Sequence, residues 1–126
     1  MSDEVKVIKR KALKKGIQEY YDHYIVATEL YNLVLYDKRF ELMENALSYH
    51  VNIMNDLKNT FKLLEPIEES VDINGLENCI FKTKTERLIL DNYYALHDLR
   101  ELYKELEQQF YTLKAASLVS DDNDTD

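Results

Sequence analysis

Side chains able to do chemistry are few in this chain of 126 residues: three histidines, one cysteine and a surplus of carboxylates. A carboxylate-bridged di-metal centre in a helical bundle needs an inward Glu on two helices and Glu-x-x-His on two others. No Glu-x-x-His occurs here. His23 and His97 have Glu19 and Glu101 one helical turn away, but one such pair per helix, pointing different ways, does not complete a metal site. His50 falls on an apolar seam, where a hydrogen-bonded core histidine is expected. Cys79 has no CxxC spacing, no histidine close in sequence and no second cysteine to pair with, so a small buried or half-buried residue is expected there. No glycine-rich strand-to-helix loop is present to cradle phosphate. Glu68-Glu69 and Asp121-Asp122 read as solvated charge. The pattern supplies no catalytic, metal or cofactor residues, and the expectation is a protein that is not an enzyme.

The elements that position these side chains follow from composition and periodicity. Two glycines, one proline and no alternating Val/Ile/Thr runs favour long uninterrupted helices. The length suits one domain. The expected fold is all-α, a long antiparallel up-down-up three-helix bundle with coiled-coil-like seams. Its helices are expected at about 4–36, 38–64 and 83–118 within a single domain, 1–118, followed by a disordered acidic tail, 119–126.

The most demanding stretch is YYDHYIVATELYNLVLY, residues 20–36, in which only Thr28, Glu29 and Asn32 interrupt the apolar run from Tyr24 onward. Ile17, Tyr24 and Tyr31 at heptad position a, with Leu13, Tyr20, Ala27 and Val34 at d, account for one face. Ile25, Val26 and Leu33 remain on the other side. Extending this seam past Tyr36 puts Lys38 and Asn45 at a, whereas Phe40, Leu47, Met54 and Phe61 form a new seam beside Met43, His50, Leu57 and Leu64. That is a two-residue shift, about 200° around the helix, so a break is expected at 36–39 with Asp37 as N-cap. Pro66 is expected to end the second helix, and 65–82 to connect it to the third. Within that connection, Asn74 and Glu77 suggest a short capped helical turn, with Leu76 and Ile80 one turn apart, in preference to a hairpin at Asn74-Gly75. Thr83-Lys-Thr-Glu86 is a capping box. It opens a seam of Leu99, Leu106 and Leu113 with Leu88, Ala95 and Leu102, in which Asn92 takes an a position and is expected to bond a tyrosine hydroxyl. Gly16, inside the first helix, marks either a close helix crossing or a bend.

Charge is segregated. Residues 1–15 carry a net +4 and the remainder −12, a distribution that disfavours a nucleic-acid-binding body. Lys6, Lys9, Arg10, Lys14 and Lys15 form a basic arm on an amphipathic segment suited to an acidic partner, nucleic acid or a membrane surface. Of ten tyrosines, Tyr20, Tyr24, Tyr31 and Tyr103 belong to seams. Tyr21, Tyr36, Tyr49, Tyr93, Tyr94 and Tyr111 are available as interface anchors. No run reaches the length of a membrane span. The lone cysteine and the lack of a leader-like segment lead to the expectation of a reducing, cytoplasmic setting.

The functional expectation is a non-catalytic protein–protein interaction module: a small helical adaptor, assembly chaperone or regulator. It would bind a protein partner, or itself as a homo-oligomer, through Tyr21, Ile25, Val26, Leu33 and Tyr36. The alternative from another class is a nucleic-acid-associated regulator, using the basic arm or mimicking nucleic acid with its acidic body.

Overall fold

The computed structural model describes residues 7–124. Four α-helices and one 3-10 turn form an up-down-up bundle: α1 (Arg10–Leu35), the 3-10 turn Phe40–Leu42 running into α2 (Met43–Ser70), the short α3 (Ile73–Asn78), and α4 (Lys84–Asp124). At 1.5 Å per residue α4 is about 60 Å long and forms the spine against which α1 and α2 pack.

α1 begins six residues later than the pattern suggested. Val7–Lys9 are extended, and Lys9 caps α1 without a side-chain hydrogen bond. The segment is held instead by Asn92, which is fully buried. Its Oδ1 accepts from the Ile8 N–H at 3.1 Å, and its Nδ2 donates to the Ile8 carbonyl at 3.2 Å and to the Leu88 carbonyl at 2.8 Å. Asn92 therefore pairs with main chain rather than with the expected tyrosine. Main chain outside a helix offers both a free donor and a free acceptor to an amide, and a helix interior would not.

The chain turns back at 36–42. Lys38 takes the left-handed conformation, φ 57°, and the Arg39 N–H donates to the Leu33 carbonyl at 3.0 Å. This closes the end of α1 without glycine. Asp37 is not the N-cap of the next helix; the chain enters it through the 3-10 turn capped at Arg39.

α2 runs through Pro66 to Ser70, so the expected end at Leu64 is corrected. Proline removes the N–H that would reach the Lys62 carbonyl and costs about 3 kcal/mol inside a helix. Here both Pro66 and Lys62 are exposed, which leaves that carbonyl on the solvent side. One residue on, Ile67 is fully buried, a gain of about 1.5–3 kcal/mol that offsets the loss. The connection is consequently shorter, 71–83, and contains α3. Asp72 rather than Asn74 caps α3, accepting from the Gly75 N–H at 3.0 Å. Ile80 does not pack in a helical turn; it lies beyond α3 and is 89% exposed, beside Phe81 at 91%. Cys79 is exposed, not buried.

The capping box forms reciprocally. The Thr83 N–H donates to Glu86 Oε1 at 3.0 Å, and the Glu86 N–H donates to Thr83 Oγ1 at 3.1 Å. Those bonds, the Thr83 backbone first, hold the Glu86 carboxyl below its ordinary value. α4 then continues past Leu118 to Asp124, because neither Gly nor Pro interrupts it. The expected tail at 119–126 is thus helical as far as 124; residues 125 and 126 lie outside the described residues. Leu113 and Ala116 lie level with the α1–α2 turn, packed with Val34, Leu35, Leu42 and Met43. Beyond that turn Leu118 and Val119 are exposed.

The core has two apolar parts. The larger gathers Ala27, Ile53, Met54, Leu57, Leu64, Ile67, Leu96, Leu99, Leu102 and Leu106; the smaller gathers Val34, Met43, Ala46 and Leu113. A polar layer crosses between them. The His50 Nδ1–H donates to the Ala46 carbonyl at 2.7 Å, His50 Nε2 pairs with the Gln109 side-chain amide at 2.8 Å, and Gln109 Nε2 donates to Thr28 Oγ1 at 3.0 Å. One residue from each long helix takes part. The layer sets their relative register, since sliding any helix by a turn would bury these groups unpaired.

Candidate interaction surface

α1 positions the residues singled out as a binding face. Residues three, four, seven or eight apart on a helix fall on neighbouring parts of one side. Tyr21 and Ile25 are related by four, and Val26 and Leu33 by seven. Leu13, Ala27 and Val34 point the other way and are buried. The remainder is therefore turned outward. Ile25 is 54% exposed, Val26 40% and Tyr36, just past the helix end, 74%. Tyr21 is also exposed. Leu33 departs from the expectation: it is half-buried, on the helical turn from which the chain folds back, where its own carbonyl receives Arg39. The face thus has an exposed centre at Tyr21, Ile25 and Val26, with Leu33 at its edge. Its polar members are Asp22, Glu29 and Asn32, and Gln18 Nε2 donates to Asp22 Oδ1 at 3.1 Å.

The basic arm is only partly described. Lys6 lies outside the described residues. Lys9 is in the extended segment, Arg10 opens α1, and Lys14 and Lys15 are exposed on it. Arg10 Nε lies 3.6 Å from Asp91 Oδ2 of α4, so part of the arm's charge is met within the chain.

The groups considered for chemistry are dispersed. His50 is committed to the polar layer. His23 Nδ1 and the Tyr49 hydroxyl are 2.9 Å apart, a link between α1 and α2. His97 is exposed on α4. Among the described residues no group of His, Cys, Asp and Glu could hold a metal ion. The seam tyrosines Tyr20, Tyr24, Tyr31 and Tyr103 are half-buried, as are Tyr49 and Tyr93, while Tyr94 and Tyr111 are exposed. The Tyr24 hydroxyl is held above its ordinary value, chiefly by its hydrogen bond to the Glu105 carboxylate.

A feature that the heptad reading passed over lies between α1 and α2. A groove of about 300 Å³ opens there, with Gly16 and Tyr20 on one wall, Thr60 and Leu63 on the other, and Leu99 of α4 in its lining. The sequence carried a sign of it in the isolated mid-helix glycine. Compared with protein-family models, curated proteins and solved structures, the chain matches none. Among the described residues no helix is long and apolar enough to cross a membrane.

Proposed function

We propose that this chain is a non-catalytic interaction module, of the adaptor, assembly-chaperone or regulator kind, that binds protein through the outward side of α1. The observation that carries this reading is the exposure of Ile25 and Val26, with Tyr21 beside them, on a helix whose opposite side already fills the core. Apolar residues grouped in this way on a surface often mark a binding site, and tyrosine is enriched among residues that anchor one.

Val26→Glu tests it. The side chain is outward, so the variant keeps its helical content and near-normal thermal unfolding while losing assembly or partner capture. Leu33→Glu serves as the contrast, because a half-buried position turned into a carboxylate destabilises the fold itself. Unchanged assembly of Val26→Glu and Ile25→Glu, with unfolding also unchanged, would remove this face from consideration.

A further inference from the structure

We infer that the polar layer of His50, Gln109 and Thr28 is a proton-operated switch: a proton taken up by His50 turns the Gln109 amide over, while the three long helices keep their register. The inference is independent of the outward side of α1. It rests on which atoms face which.

His50 is fully buried on α2, and both of its ring nitrogens meet oxygen. Nδ1 lies 2.7 Å from the Ala46 carbonyl, which can only accept, so Nδ1 carries a hydrogen. Nε2 lies 2.8 Å from Gln109 Oε1, again an acceptor. With the amide turned this way Nε2 must donate as well, and a ring with two donors is the imidazolium cation. A neutral ring leaves Nε2 bare. It then needs a donor, and a half-turn of the Gln109 amide supplies one by exchanging Oε1 for Nε2.

Both arrangements pair every group in the layer. In the charged one, Gln109 Nε2 donates to Thr28 Oγ1, 3.0 Å away. The Thr28 hydroxyl hydrogen is then left for Tyr24, to which Thr28 is also hydrogen-bonded. In the neutral one, that hydroxyl donates to Gln109 Oε1 instead, since a hydroxyl both gives and receives. A glutamine held between an imidazole and a hydroxyl thus serves either protonation state. A fixed donor or a fixed acceptor in its place would serve only one, and the other would leave a buried group unpaired.

The charged groups around the layer fit this. From α1 come Tyr24 and, in the neighbouring cluster with Ala46, Tyr31. From α4 comes Glu105, one turn before Gln109, which hydrogen-bonds the Tyr24 hydroxyl. On α2 the residues one turn from His50, namely Ala46, Leu47, Ile53 and Met54, are uncharged, and Tyr49 is turned to His23. At the 3-10 turn Arg39 and Glu41 are exposed and pair with each other. Glu105 is therefore the carboxylate joined to the layer, and its charge offsets that of a buried imidazolium through Tyr24 and Thr28.

Nitrogen NMR of the isotope-labelled full-length chain tests this across the range in which imidazole ordinarily titrates, about pH 5 to 8. At the alkaline end His50 is expected to carry a hydrogen on Nδ1 alone. At the acid end both nitrogens are expected to carry one, with helical content by circular dichroism unchanged. The Gln109 side-chain amide signals are expected to move with the same midpoint. Gln109→Glu offers acceptors alone and adds a negative charge, so the His50 midpoint is expected to rise by about one pH unit or more. Gln109→Met fills the same space without a partner, and there His50 is expected to stay neutral until the helices melt. Wild-type His50 signals that stay fixed until helical content is lost would overturn the inference. So would Gln109 amide signals that ignore the His50 titration, or an unchanged midpoint in Gln109→Glu. The Gln109→Glu arm and the wild-type titration decide the matter even where Gln109→Met fails to fold.

Discussion

Replacing Asn92 with alanine is expected to release the beginning of the chain and to cost about 2–4 kcal/mol of global stability. Asn92 is fully buried and makes two hydrogen bonds to the Ile8 main chain. Each such bond contributes about 0.5–1.5 kcal/mol net, and a buried group left without a partner costs about 1–3 kcal/mol. Ile8 is only half-buried, so water takes up part of the freed pairing and the lower part of that range applies. The third bond, to the Leu88 carbonyl, adds little, because that carbonyl keeps its place in the α4 ladder. Removing the amide also leaves an unfilled space at a fully buried position, which adds about 1 kcal/mol. The loss would be local as well as global, since α1 has no side-chain cap at its start. Urea titration followed by circular dichroism gives the global term, and amide hydrogen exchange gives the local one. The Ile8 amide is expected to be protected in the wild type and to exchange freely in Asn92→Ala, with faster exchange spreading into the first turn of α1. An Ile8 amide already unprotected in the wild type, or a stability loss below about 0.5 kcal/mol, would refute the reasoning.

Leu99→Ala and Leu102→Ala should each cost about 2–5 kcal/mol, as large-to-small changes in a packed core do, because both are buried on the α4 seam; denaturant midpoints check this, and less than about 1 kcal/mol for both would show the seam to be misread. Acid should weaken the fold through Glu86, whose carboxyl is held below its ordinary value by Thr83. A depressed carboxyl contributes stability that is present above the ordinary value of 4.5 and is lost as the pH falls through the folded-state value. Thermal melts across the acid range should therefore show a smaller loss in Glu86→Gln than in the wild type, and identical acid profiles would count against the cap.

The sequence alone determined that this chain is a bundle of three long helices. The reason is local: few residues interrupt helices, and apolar residues recur at heptad spacing. That periodicity decides which side of each helix seeks cover, as with Leu13, Ala27 and Val34 on α1 or Leu99, Leu106 and Leu113 on α4. The two-residue shift between seams also located the reversal after Tyr36, because a helix cannot turn its apolar side by about 200° without breaking. The outward position of Ile25 and Val26 followed from the same arithmetic.

Tertiary structure decided the rest wherever a local preference was outweighed or a partner was distant in sequence. Pro66 is locally a stop signal, and only the buried seat of Ile67 explains why α2 continues through it. Asn92 looks like any polar residue on a seam until the fold brings Ile8, 84 residues away, within hydrogen-bonding reach. His50, Gln109 and Thr28 come from three separate helices and form a layer only when those helices stand in one register. The groove at Gly16 is of the same kind. A helix pattern can flag a glycine, but whether the space above it is filled depends on where α2 lies, and pairwise heptad rules do not contain that position.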